Sequence, residues 1–179
     1  MTWWENAWRE WREKQVGKEG RRATVGGGVS GLVVFLASGC WSGFVPYLPG
    51  TAGTLVGLAL YWLILQHISP LVYLLVLLCL ILLGSVLCGK AEGYLGKQDA
   101  APIVLDEMVG YLTSLAALPC KPLTLWGGFL LFRLFDITKP PPARQIQSLR
   151  GGWGVMLDDI VAGIYANLVL RVLLYSVGG

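Results

Sequence analysis

The chain has 179 residues, of which 55% are hydrophobic and only 14% charged, with 14 basic and 11 acidic side chains giving a formal net charge of +3. Together with a mean hydropathy of +0.61, this is a membrane composition. A soluble domain of this size could bury a good core, but it would have no need of uncharged apolar runs such as residues 71–83, which a bilayer explains.

Residues 1–24 are predicted to form an amphipathic interfacial helix, because Trp4, Ala7, Trp8 and Trp11 share one helical face while Glu5, Arg9, Arg12 and Glu13 fall opposite. Arg21 and Arg22 before the apolar residues 29–37 resemble the start of a signal peptide, but the charged, Trp-rich leader is too long for one. Residues 25–179 then read as one helical membrane domain. Apolar runs cover about 25–48, 52–68, 70–88, 103–118, 123–137 and 160–177. The first is rich in glycine and interrupted; the other five are candidate spans. Lys and Arg gather in the N-terminal helix, in 90–97 and in 133–150, which the positive-inside rule places in the cytoplasm. Both flanks of 25–48 are then cytoplasmic. That segment is expected to be re-entrant or surface-lying, its glycines suiting irregular backbone buried against protein. The expected fold is all-α: a polytopic integral membrane bundle of about five spans plus this irregular segment. Some runs are short, since 103–118 would rise only about 24 Å as a helix against a hydrocarbon core of ~30 Å.

The four cysteines, Cys40, Cys79, Cys88 and Cys120, stand singly in or beside apolar runs and form no CxxC or metal-type spacing, so they read as packing residues. His67, the single histidine, lies in the connector "QHISP", which argues against a His-ligated metal or a His-based nucleophile.

Five acids instead sit at the cytoplasmic ends of the apolar runs: Asp106 and Glu107 in "PIVLDEMVGYL", Asp136 in "FRLFDITKPP", and Asp158 and Asp159 in "GVMLDDIVAG". Ionised carboxylates near lipid are costly and need compensation. Arg133, three residues before Asp136 on the same helical face, supplies part of it. Adjacent acids repel, however, and the "DE" and "DD" pairs call for a divalent cation. Oxygen ligands without His or Cys point to a hard ion, Mg²⁺ before Mn²⁺, held among Asp106, Glu107, Asp136, Asp158 and Asp159. Gly110 and Gly163, four residues after Asp106 and Asp159, would let two helices approach closely enough for the acids to converge. The competing explanation is that each pair merely occupies a helix N-terminus, where the dipole favours acids.

Lys139, Arg144 and Arg150 follow Asp136 in a loop stiffened by Pro140, Pro141 and Pro142, which suits the binding of phosphate. In "LPGTAGT" (48–54), the backbone amides and the Thr51 and Thr54 hydroxyls open a span and could cradle the same anion.

In order along the chain, "PGTAGT", "VLDEMVG", "FRLFDITKPPP" and "GGWGVMLDDIVAG" resemble the motifs of the phosphatidylglycerophosphatase A family, over about residues 39–165. The resemblance implies an all-helical, bacterial-type inner-membrane enzyme, multi-pass, Mg²⁺-dependent, with its active site on the cytoplasmic side. It would remove the terminal phosphate of phosphatidylglycerophosphate to give phosphatidylglycerol. The implied partners are the membrane and that anionic phospholipid, with no nucleic acid. The family's acidic motif falls on Asp106 and Glu107, its Arg-x-x-Asp-x-x-Lys-Pro motif on Arg133, Asp136, Lys139 and Pro140, and its paired aspartates on Asp158 and Asp159. One departure is the long aromatic stretch "GCWSGFVPYL" before "PGTAGT", so no role is assigned to Ser42. Two other classes share features with the chain. A CDP-alcohol phosphotransferase also uses Mg²⁺ and membrane aspartates, but its Asp-x-x-x-Asp spacing is absent. A cation or proton-coupled transporter would explain intramembrane acids, yet not their gathering beside a basic, proline-stiffened loop.

Overall fold

The computed structural model describes residues 28–149 and 151–176, together with Asn6 and Glu10. Apart from those two residues, the amphipathic helix expected at 1–24 lies outside the described residues, as does Arg150. The described residues form helices joined by turns and contain no strand: α1 (Val29–Ala37), α2 (Pro49–Leu63), α3 (Pro70–Leu95), α4 (Leu105–Ser114), α5 (Pro122–Thr138), α6 (Ala143–Ile146) and α7 (Gly152–Ser176). Proline opens α2, α3 and α5, where its missing N–H is no loss and its fixed φ suits the first turn. Ser69 caps α3 by accepting from the Val72 amide, and Gly96 ends it in the left-handed conformation at φ 72°.

The glycine-rich segment is irregular. Nine-residue α1, about 14 Å long, ends in a left-handed run at Gly39, Cys40 and Trp41 and then a single 3-10 turn at Ser42–Phe44. This reversal lies across the start of α4, with the Val104 amide donating to the Ala37 carbonyl at 2.9 Å. A Cβ on Gly43 would collide with the Pro102 carbonyl, and one on Gly39 would meet Met108 Sδ at 2.9 Å.

Among the described residues, α3 is the one helix long and apolar enough to cross a membrane. Leu71, Leu74, Leu75, Leu78 and Leu82 project from it exposed. The run expected to span at 103–118 is instead ten-residue α4, nine of whose residues are buried, so this helix fills the core rather than facing outward. It stops short because the chain turns at Leu115–Ala117, where Asn167 Nδ2 takes the Ser114 and Ala116 carbonyls at 2.9 and 3.0 Å and Arg171 takes Ala116 at 3.0 Å. The run read as 160–177 reaches back to Gly152, which puts Asp158 and Asp159 inside α7, two turns from its start.

Around α4 pack α7, α2, α3 and α5. The closest approach is between α4 and α7: a Cβ on Gly163 would strike the Gly110 carbonyl and lie 2.9 Å from Thr113 Cβ, and one on Gly110 would lie 2.7 Å from the Asp159 carbonyl. Both glycines thus act as the sequence suggested. Gly163→Ala is expected to lower stability by about 1–3 kcal/mol through overpacking against backbone. At the open helical position Gly93, where an added Cβ meets nothing within 4 Å, the same change should be neutral or stabilising by up to about 1 kcal/mol. Thermal unfolding midpoints of the two variants in detergent check the contrast.

Candidate active site

Connectivity brings five helix ends to one end of the bundle: the N-termini of α2, α4 and α7 and the C-termini of α3 and α5. Asp106 and Glu107 lie in the first turn of α4, where the helix dipole favours acids. The dipole alone does not account for Asp159, which reaches the same place from the second turn of α7. One carboxylate oxygen each from Asp106, Glu107 and Asp159 lie within 4.8 Å of one another. Two oxygens bound to one ion at ~2.1 Å lie at most about 4.2 Å apart, so the three converge on the scale of a single metal site. Asp106 and Asp159 are each only 3% exposed. Asp106 Oδ1 and Glu107 Oε2 are buried with no hydrogen-bond partner, an arrangement of unsatisfied acceptors that a protein does not hold without compensation.

The other two acids form a second rank, each bound to a cation. Asp136 pairs with Arg133 at 2.5 Å, the i,i+3 contact the sequence spacing implies. Asp158 pairs with Lys139, while its own Oδ1 stays buried and unpartnered. All five acids share one electrostatic environment: Glu107 feels Asp159, Asp136 and Arg133, and Asp159 feels Asp136, Asp106, Asp158 and Lys139.

Lys139 is positioned by backbone as well as by charge. It closes α5 in the left-handed conformation at φ 43°, its amide bonded to the Phe135 carbonyl at 2.8 Å. Tyr165 on α7 donates to the Pro141 carbonyl at 2.7 Å and packs its ring at a tilt against Phe135, tethering the proline loop beside Asp158. Burial pulls the Lys139 ammonium toward neutrality, but the hydrogen bond to Asp158 and the charges of Asp158, Asp159 and Asp136 outweigh it and hold its pKa above the ordinary lysine value. It stays a cation.

The start of α2 closes the site from another side. A Cβ on Gly50 would overlap Glu107 Oε1 and lie 2.9 Å from Arg133 Nη1, so "PGTAGT" abuts the carboxylates through bare backbone. Two residues expected to bind phosphate make no bond to these carboxylates among the described residues. Thr54 is fully buried and donates its hydroxyl to the Gly50 carbonyl at 2.8 Å, satisfying its own helix. Arg144 is exposed on four-residue α6, with no ion pair among the described residues. Thr51, half-buried in the first turn of α2, remains at the site's edge.

Sequence reasoning missed a neighbouring polar link. Glu92 on α3 accepts from the Asp99 amide at 2.8 Å, and Asp99 accepts from Gln147 Nε2 at 3.0 Å. The one available signal was that Glu92 falls a helical turn after buried Cys88 and so shares its inward face.

A model of the phosphatidylglycerophosphatase A family matches residues 35–174. The chain belongs to this family. Among its relatives, the phosphatidylglycerophosphatase A of Haemophilus influenzae is 39% identical over 142 residues, covering 78% of this chain and 87% of that protein. The Escherichia coli protein of the same name is 37% identical over 138 residues, covering 75% and 79%. A Bacteroides thetaiotaomicron protein provisionally named phosphatidylinositol-3-phosphatase is 36% identical over 155 residues, covering 82% and 96%. No solved structure matches the chain. Family membership makes the protein a phosphoric monoester hydrolase, which leaves no room for the transporter or CDP-alcohol phosphotransferase readings.

Gly50→Ala is expected to cut turnover by on the order of 10²-fold, the usual consequence of displacing catalytic groups by about 1 Å. The unfolding midpoint should barely move, because the obstacles are side-chain ends that can swing aside. Activity and thermal unfolding measured on one preparation check both halves.

Proposed function

We propose that the protein hydrolyses the terminal phosphate monoester of phosphatidylglycerophosphate at the membrane surface, giving phosphatidylglycerol and inorganic phosphate. The observation that carries this reading is the convergence of Asp106, Glu107 and Asp159, with Asp106 Oδ1 and Glu107 Oε2 buried and unsatisfied, flanked by the Lys139–Asp158 and Arg133–Asp136 pairs. A hard divalent cation, Mg²⁺, fits this all-oxygen donor set. Asp106, Glu107 and Asp159 would hold it, with Asp158 and Asp136 close by. When bound, such an ion supplies Lewis-acid polarisation of phosphoryl oxygens and makes water more acidic.

The chain's own groups account for the rest. Lys139 and Arg133 neutralise charge on the transferred phosphoryl group, and the amides opening α2 offer hydrogen bonds to its oxygens. Asp158 and Asp136 aim those two cations. A carboxylate of the trio accepts the proton of the attacking water as the new P–O bond forms and the lipid alkoxide leaves, to be protonated by solvent.

Several features support a membrane setting. Exposed Leu, Ile and Val surround α3 and continue over α5 and α7. Exposed aromatics bracket this belt, with Tyr47 and Trp153 at the site end and Trp62, Trp126 and Tyr175 at the other, as in interfacial girdles. The reading is of a multi-pass protein of the bacterial inner membrane, with about five spans counting the shorter helices and the site facing the cytoplasm. The Bacteroides relative favours a second substrate, a phosphoinositide carrying the same kind of phosphate monoester.

The test is phosphate release by the purified protein from both lipids, with Mg²⁺ and with chelator. Release from phosphatidylglycerophosphate that stops on chelation is expected; no release from it would sink the reading. Lys139→Ala should then lose about 10²–10³ in kcat, and Lys139→Arg much less. If Lys139 only anchors the chain to anionic headgroups, Lys139→Ala in detergent would stay within a few-fold of the wild type.

A further inference from the structure

Where α3 ends and α7 begins, a cleft of about 390 Å³ is lined by Gly89, Glu92, Gly93, Lys97, Gln98 and Gly151, among others. Its size falls within the ~300–1,000 Å³ of small-molecule sites. Its walls are polar and largely without side chains: a Cβ added at Gly93 or at Gly151 would meet nothing within 4 Å. Glu92 lines the cleft at 9% exposure, with one oxygen held by the Asp99 amide. A carboxylate so fixed is an acceptor for hydroxyl groups. Lys97 and Gln98, exposed at the rim, add donors.

The cleft adjoins the start of the helix that carries Asp158 and Asp159. Cys88, fully buried one turn before Glu92, lies against that start, where a Cβ on Gly152 would come 3.1 Å from its own Cβ. Gly89 packs on Gly152, so the cleft floor and the start of the helix bearing Asp158 and Asp159 are one surface.

We propose that this cleft is the subsite for the hydroxyl-bearing headgroup of the lipid, a polyol phosphate whose phosphate lies at the trio and whose free hydroxyl, the central one in phosphatidylglycerophosphate, reaches Glu92. The assignment rests on the phosphatase reading above and makes Glu92 a specificity-determining residue for that reaction. It also locates where relatives acting on different polyols would differ: in the 89–98 wall, away from the carboxylates.

The experiment uses the full chain in detergent and two variants, Glu92→Gln, which keeps shape and one acceptor, and Gly93→Leu, which fills the cleft at an open helical position. Thermal unfolding establishes that each is folded. Phosphate release is measured from phosphatidylglycerophosphate and from phosphatidic acid, which has the phosphate monoester and lacks the polyol. KM for phosphatidylglycerophosphate should rise at least about tenfold in each folded variant, the scale of one lost hydrogen bond to a charged group, with kcat within a few-fold. The preference over phosphatidic acid should shrink by the same factor. Unchanged KM and preference, or a fall in kcat alone, would overturn the assignment. Binding of phosphatidylglycerophosphate with divalent ions chelated separates the two levels of the argument. Weaker binding by both variants supports the cleft even if the wild type proves inert on that lipid, and equal binding rejects it.

Discussion

Three carboxylates from two helices come within 4.8 Å of one another only if the helices themselves nearly touch. Gly110 and Gly163 make that contact, with backbone against backbone where any other residue would interpose a carbon. The rest of the site follows from it. Once α4 and α7 are locked at this distance, Asp158 is aimed at the end of α5, the start of α7 lies on Gly89 of α3, and the first turn of α2 faces Glu107. The repulsion among the acids, sharpened by burial, is the cost of the arrangement; two cations and three helix N-termini offset it, and the packing of the bundle keeps the side chains from moving apart.

Much of this could be read from the chain. The i,i+3 spacing made the Arg133–Asp136 pair legible, because a helix fixes that geometry locally. The glycines four residues after Asp106 and Asp159 were legible for the same reason: a helix places residues four apart on one face. Contacts between distant segments were not. Nothing local joins Lys139 to Asp158, nineteen residues on, or Glu92 to Asp99 and Asp99 to Gln147. Thr54 and Arg144 carried the right chemistry in the right motifs, but one satisfied its own helix and the other lay on the outside of a single turn. Hydropathy likewise could not distinguish an apolar helix buried by protein from one facing outward, and α4 is the former.

The two ranks of acids divide the electrostatic work. Asp106 and Glu107 keep a buried oxygen without a partner and Asp159 forms no ion pair among the described residues, whereas Asp136 and Asp158 each commit one oxygen to a cation, Arg133 and Lys139. Such a division lets a small site hold negative groups for one purpose and positive groups for another without the cations simply neutralising the trio. It relies on tethers outside the charged groups, among them Tyr165 on the Pro141 carbonyl.

The position of Lys139 has a bearing on how this protein tolerates change. A helix end at φ 43° is a place where glycine or asparagine would relax the backbone, and a lysine there costs about 1 kcal/mol or more. An engineer guided by backbone preference alone would replace it, and would leave the buried Asp158 carboxylate without its cation. The backbone strain at this one residue is therefore bound up with the charge it carries, and neither can be relieved without the other.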